Sequence, residues 1–164
     1  ANNAFARNMR KAAQLIRAGI GSEFISVDIG GWDTHVNQNG ALRNNLAAMG
    51  DGLAAFMQDL GDAMSRVTVV TMSEFGRRAT ENGSLGTDHG HGNAMLLMGA
   101  GVNGGQVVSD WPGLQDDDLD RGDLQVTTDY RQVLSELLQT QSSRLDIARV
   151  FPGYNYPGGL GLFR

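Results

Sequence analysis

The chain has 164 residues, of which 41% are hydrophobic and 19% are charged, and its formal net charge is −5. This length and composition fit one globular domain that buries a core. The acidic balance argues against non-specific binding to nucleic acid, which requires a basic surface. Because the sequence contains no cysteine, disulfides, thiolate zinc sites and cysteine nucleophiles are excluded.

Apolar runs in the sequence stay well short of the ~18 residues that a membrane-spanning helix needs, and no signal peptide is recognisable. The first residues instead carry a helical pattern that is typical of the middle of a domain. We therefore expect a single α/β domain over residues 1–164 that is the C-terminal part of a larger domain. The sheet of such an incomplete domain has an exposed edge, which predicts self-association or association with a missing N-terminal part.

Apolar residues that recur every three or four positions predict three helices. These helices cover residues 3–18, 41–64 and 129–139. Thr128 or Asp129 is expected to cap the third helix. The apolar stripe of the second helix is expected to pack on one face of a sheet through Leu46, Leu53 and Leu60.

Apolar runs rich in β-branched residues predict three strands. These strands cover residues 23–29, 67–72 and 94–99. The second run lacks the alternation of a half-exposed strand, which is typical of a buried parallel strand. A strand, a long helix and a second strand in succession indicate a βαβ unit with a right-handed crossover. The sequence therefore predicts a parallel sheet.

All three histidines of the sequence lie in polar loops next to predicted strands. Because ligands bind at the carboxyl ends of parallel strands, we expect the acidic and imidazole side chains of these loops to converge. A mixed set of this kind favours Zn²⁺, Mn²⁺ or iron, whereas Ca²⁺ binds mainly carboxylates. The candidate metal ligands are Asp28, Asp33, His35, Glu74, Asp88, His89 and His91.

The same residues also have a structural interpretation. Asp33 and His35 can be hydrogen-bond partners that stiffen a loop without binding a metal ion. His89 and His91 flank a single glycine, so we expect one of them to bind the ion and the other to contact a ligand or the substrate. The aspartates within residues 116–120 lack the ligand spacing of an EF-hand calcium loop and are interpreted as a solvated surface.

Five short motifs resemble one known family across nearly the whole chain. They are Gly30-Gly-Trp-Asp-Thr-His35, Ser73-Glu-Phe-Gly-Arg77, Asp88-His-Gly-His-Gly-Asn-Ala94, Thr128-Asp-Tyr-Arg131 and Phe151-Pro-Gly153. The resemblance is to exported bacterial proteins that are grouped as a domain of unknown function and described as sulfatase-like. This family is regarded as a remote branch of the alkaline phosphatase and sulfatase superfamily.

The resemblance implies an alkaline-phosphatase-like, parallel-sheet α/β/α sandwich with metal ions at the strand ends, and a periplasmic or secreted location. The implied ligands are an aspartate–histidine pair, an acidic residue after a strand and a late histidine, which correspond to Asp33 with His35, to Glu74, and to His89 or His91. The superfamily usually spaces its first pair more widely, so Asp28 competes with Asp33. No residue of the chain matches the superfamily's nucleophile.

These observations predict a metal-dependent hydrolase of phosphate or sulfate esters that uses Zn²⁺, Mn²⁺ or Ca²⁺. The expected substrate is a small anionic ester or a sulfated or phosphorylated glycan, with Arg77 contacting an oxygen of the anion. The chain is expected to be inactive alone if the nucleophile lies upstream. The alternatives are a non-catalytic exported protein that binds metal or polysaccharide, and a purely structural domain.

Overall fold

The computed structural model describes residues 3–142 and 144–164, and helices make up most of its regular structure. Helices α1 to α4 cover Ala4–Ala18, Gln38–Leu60, Tyr130–Gln141 and Ile147–Val150. Strands β1 to β4 cover Thr68–Val70, Gly76–Arg77, His89–Gly90 and Leu97–Gly99. Two 3-10 helices cover Gly61–Arg66 and Asp116–Asp118. Among the described residues, no helix combines the length and the apolar character needed to cross a membrane.

The three predicted helices are present, and local signals in the sequence fix the start of α1 and of α3. Helix α1 follows Asn3, whose side chain accepts a hydrogen bond from the Ala6 amide at 2.7 Å. It ends at Gly19, which adopts the left-handed conformation with φ 63°. The Asp129 side chain accepts a hydrogen bond from the Arg131 amide at 2.8 Å, so Asp129 is the cap of α3.

The hydrophobic core lies between α1 and α2. Its buried residues are Phe5, Met9, Ala12 and Ala13 from α1 and Leu53, Phe56 and Leu60 from α2. Val69 of β1 and Met98 of β4 are partly buried against this cluster. The apolar stripe of α2 thus packs largely on another helix, whereas a sheet face was predicted, and Leu46 is 48% exposed.

The strands form two separate antiparallel pairs, so the predicted parallel-sheet α/β/α sandwich is wrong for the described residues. Strand β1 pairs with β4, with Val70 opposite Leu97, and β2 pairs with β3, with Arg77 opposite His89. Parallel pairing requires a crossover connection, which is usually a helix. The connection from β1 to β4 is instead a long polar segment that contains β2 and β3. An apolar run indicates burial and carries no information on strand direction.

The predicted first strand is also absent. Residues 23–29 adopt no regular secondary structure, and Phe24 is 78% exposed. Among the described residues, no backbone hydrogen bond links residues 23–28 to another segment. An extended segment becomes a strand only when a neighbour supplies such bonds, and β-branched composition does not supply them. Self-association through an exposed segment stays a prediction.

Two glycines of α2 are expected to respond oppositely to alanine. A Cβ at Gly50 would meet no atom within 4 Å, whereas a Cβ at Gly52 would lie 2.7 Å from two ring carbons of Phe5. We expect Gly50→Ala to raise the free energy of unfolding by up to about 1 kcal/mol, because alanine favours a helix. Gly52→Ala is expected to lower it by about 1–3 kcal/mol through overpacking.

Urea unfolding of both variants measures this difference. Equal stabilisation by the two substitutions would contradict the packing of Phe5 against α2.

Candidate metal centre

The candidate site lies where a first loop, residues 30–37, contacts a second loop, residues 78–88. The Gln38 side chain at the start of α2 joins the two loops. Its Oε1 accepts hydrogen bonds from the Thr34 hydroxyl at 2.8 Å and from the Thr87 hydroxyl at 2.7 Å. The beginning of a long helix therefore holds both loops in a fixed relation.

Three side chains converge at this contact. Oδ1 of Asp33 lies 2.9 Å from Nε2 of His35 and 2.8 Å from Nε2 of His89. The three atoms that these residues could offer to a metal ion all lie within 4.8 Å of one another. Two imidazole nitrogens and one carboxylate oxygen at this spacing form a donor set that suits a divalent transition metal ion.

A second carboxylate contacts the other ring nitrogen of His35. Its Nδ1 lies 2.8 Å from Oδ1 of Asp88, and that oxygen accepts a further hydrogen bond from Asn82 Nδ2 at 3.0 Å. A neutral imidazole carries only one N–H group. When Nδ1 donates this proton to Asp88, Nε2 carries a lone pair that can bind an ion held between His35 and Asp33, as in a metal-binding histidine with an outer carboxylate partner.

His89 is held by an aromatic ring. Its imidazole stacks on Phe75 with the ring centroids 4.4 Å apart and the planes 7° from parallel. The rings of His89 and His35 lie 5.0 Å apart at a tilt of 32°. The His35 imidazole thus approaches Asp33 from within the first loop, whereas the His89 imidazole approaches it from β3, which directly follows the second loop.

The hydrogen bonds of the site change the ionisation of both carboxylates. The hydrogen bond with His89 is the largest cause that lowers the pKa of Asp33, and electrostatic interactions with His35, His89 and Arg77 lower it further, against a partial desolvation that raises it. The hydrogen bonds from His35 and Asn82 lower the pKa of Asp88. A carboxyl group with a depressed pKa contributes stability above its unfolded-state pKa and loses it as the pH falls through the folded value. Both carboxylates are therefore ionised, and able to hold a cation, throughout the neutral range.

Arg77 ties the two loops together. Its guanidinium donates to the Thr87 carbonyl at 2.6 Å, to the Trp32 carbonyl at 2.5 Å and to Oδ1 of Asp33 at 3.2 Å. The side chain is 19% exposed. These contacts give Arg77 a role in positioning Asp33, and its predicted contact with an anion stays a prediction.

A protein-family model described as a protein of unknown function, DUF1501, matches residues 1–145. The chain belongs to the DUF1501 family. Asp33, His35 and His89 all lie within the matched residues. Comparisons with curated proteins and with solved structures found no significant match. The predicted membership of a family of unknown function is confirmed at this level.

The DUF1501 chain does not bring the other predicted ligands into the three-residue group. Asp28 and Glu74 both line a large open cleft that also reaches Asp33. His91 lies apart, because its amide donates to Asp123 Oδ2 at 2.8 Å and its Nδ1 lies 3.2 Å from the Leu124 carbonyl oxygen. Asp88 contacts the group only through His35.

The predictions from sequence did not include Phe75, Asn82 or Gln38. Asn82 bonds both Asp88 and the carbonyl of His35, and its own side-chain oxygen accepts from the amides of Ser84 and Gly86. The Asn82-Gly83 pair is a turn signal that could have indicated an ordered loop. Phe75 lies within the Ser73–Arg77 motif, although no role was predicted for it, and nothing in the spacing of Gln38 points to the site.

Proposed function

We propose that this DUF1501 chain binds one divalent transition metal ion through Asp33, His35 and His89, and that the site serves hydrolysis of phosphate or sulfate esters. The observation that supports this proposal most is the convergence of two Nε2 atoms on one carboxylate oxygen. The resemblance of the motifs to the sulfatase-like branch of the alkaline phosphatase superfamily supports the reaction class. On the same resemblance, we propose a periplasmic or secreted location.

The donor set also indicates which ion the site would hold. Imidazole nitrogen is a good ligand for Zn²⁺ and Mn²⁺ and a poor one for Ca²⁺, so two histidines favour the transition metals. A bound ion of this kind polarises an ester oxygen or lowers the pKa of a water molecule. The expected substrate is a small anionic ester or a sulfated or phosphorylated glycan.

The exposure of the three side chains favours a site that is open to a substrate. The side chains of Asp33, His35 and His89 are 60%, 41% and 51% exposed. A structural zinc site is usually closed by four protein ligands, whereas a catalytic site has three and keeps a position open. Three exposed ligands therefore fit a catalytic site better than a structural one.

The chain's own residues also prepare the site for an anion. Arg77 already donates to Asp33, so its charge offsets part of the negative charge beside the proposed ion. The carboxylate of Asp88 favours the tautomer of neutral His35 that carries its proton on Nδ1 and leaves Nε2 able to bind an ion. The nucleophile of the reaction is not assigned to a residue of this chain.

The test is turnover of an aryl phosphate and an aryl sulfate by the full-length protein with Zn²⁺, Mn²⁺ or Ca²⁺. We expect hydrolysis that depends on Zn²⁺ or Mn²⁺, is lost in Asp33→Ala and is kept in His91→Ala. A folded protein that binds the ion at Asp33 and hydrolyses neither ester would contradict the catalytic part of the proposal. That result would favour the non-catalytic metal- or polysaccharide-binding alternative.

A further inference from the structure

The two imidazoles of the proposed site are oriented by different means. His35 has a carboxylate on Nδ1, which is the usual outer partner of a metal-binding histidine. No described residue forms a hydrogen bond with Nδ1 of His89. The terminal torsion of a histidine side chain is broad, so the single contact of Nε2 with Asp33 Oδ1 leaves the plane of the His89 ring undefined. A second contact is needed to fix this plane.

Phe75 occupies the position that fixes this plane. Its ring is nearly parallel to the His89 ring, at 7° and 4.4 Å, so rotation of the imidazole would break the stack. Contact with Asp33 then selects the edge of the imidazole that points into the site, because Nε2 lies 2.8 Å from Oδ1. Stacking and contact together define both the plane and the direction of the donor atom.

The backbone around Phe75 holds its ring in place. Asn93 Nδ2 donates to the Phe75 carbonyl at 3.2 Å, and Ser73 Oγ donates to the same carbonyl at 2.7 Å. The next residue, Gly76, lies so close to β3 that a Cβ would be 2.7 Å from the Gly90 carbonyl oxygen. These contacts place Phe75 at a fixed distance from His89, because Phe75 directly precedes β2 and His89 belongs to its partner strand β3.

Phe75 also contacts the guanidinium of Arg77, which donates to the same Asp33 oxygen that His89 contacts. Cζ of Arg77 lies 5.0 Å from the centroid of the Phe75 ring. Phe75 is absent from the main hydrophobic core and from the side chains packed against it. Its ring contacts are therefore made with the site and not with the core.

We propose that Phe75 is a positioning residue that orients the His89 imidazole for metal binding. This inference rests on the proposed metal site and adds to it the residue that prepares one of its ligands. It predicts that loss of the aromatic ring weakens metal binding through His89 alone. An aromatic replacement should keep the stack.

The first test uses the metal-free protein. We expect the ring protons of His89 to show an upfield ring-current shift in the NMR spectrum of the parent and of Phe75→Tyr, and to lose it in Phe75→Leu. The absence of this shift in the folded parent would overturn the inference and would leave the proposed metal site standing.

The second test measures Zn²⁺ affinity by competition with a chromophoric chelator. Phe75→Leu is expected to weaken binding by about 10- to 100-fold, the range found when an outer partner of a ligand is removed. Phe75→Tyr is expected to keep the parental affinity. In a His89→Ala background, Phe75→Leu should cause no further loss, because the two residues act through one ligand.

Parental affinity in Phe75→Leu would overturn the inference. An equal loss in the His89→Ala background would also overturn it, because Phe75 would then act on the fold and not on the ligand. A folded parent that binds no Zn²⁺ would overturn the proposed metal site together with this inference.

Discussion

Replacing His89 with alanine is expected to weaken Zn²⁺ binding strongly, because His89 is a direct ligand in our proposal. The loss of affinity should exceed the value of about 10- to 100-fold that is typical when an outer partner of a ligand is removed. His91→Ala is the matched control, since both histidines flank Gly90. His91 is expected to be dispensable because its Nδ1 faces the Leu124 carbonyl and its amide is bonded to Asp123. Comparing the two variants tests whether Zn²⁺ affinity depends on the position of His89 in the site or only on the presence of a histidine next to Gly90.

Zn²⁺ affinity of both variants at pH 7.5, together with their circular dichroism, measures this prediction. Each variant must retain the helical spectrum of the parent for the comparison to hold. Equal losses in the two variants would show that His91 also binds the ion, and a loss in His91→Ala alone would reverse the assignment.

Leu53→Asp is expected to cause the largest loss of stability. Leu53 is 7% exposed and belongs to the cluster of α1 and α2 side chains that forms the core. Truncation of a buried leucine alone costs about 2–5 kcal/mol, and an unpaired buried carboxylate adds to that cost. Because a typical domain is stable by only about 5–15 kcal/mol, this variant is expected to be largely unfolded or close to it.

Leu46→Asp, on the same helix, is the control. Leu46 is 48% exposed, so the same substitution is expected to change the free energy of unfolding by only about 0.5 kcal/mol. Urea unfolding of the two variants measures the difference. If Leu46→Asp destabilises the protein as much as Leu53→Asp, α2 buries a different face from the one described.

The helices could be predicted from the sequence because their signals are local. Asn3 and Asp129 cap α1 and α3, and an apolar period of three to four residues marks the buried faces of α1 and α2. The packing partner of α2 could not be predicted, because an apolar stripe does not specify whether it meets a sheet or a helix. Leu46 shows the same limit, since it lies in the stripe and remains half-exposed.

The strands were harder to predict because pairing is not local. The run 67–72 does contain β1 and the run 94–99 contains β4, but their antiparallel pairing follows from the path of the chain between them. Residues 23–29 have the composition of a strand and find no partner among the described residues.

The candidate site could be predicted only in part, because some of its features are local in the sequence and others depend on contacts between distant residues. Asp33 and His35 are two residues apart in one motif, and His89 belongs to the densest group of histidines, so the sequence placed them among seven candidate ligands. It left open the choice between Asp28 and Asp33 and between His89 and His91. The choice between His89 and His91 depends on Asp123, which is 32 residues from His91 in sequence. The role of Asp88 likewise depends on its contact with His35, across 53 residues.

The central claim is that Asp33, His35 and His89 bind one divalent metal ion. Anomalous diffraction from crystals of the folded protein grown with Zn²⁺ tests it most directly. We expect one peak bonded to both Nε2 atoms and to the Asp33 carboxylate, with zinc–nitrogen distances of about 2.0–2.1 Å. A map with no peak between these three side chains, or with its strongest peak at His91, would contradict the claim.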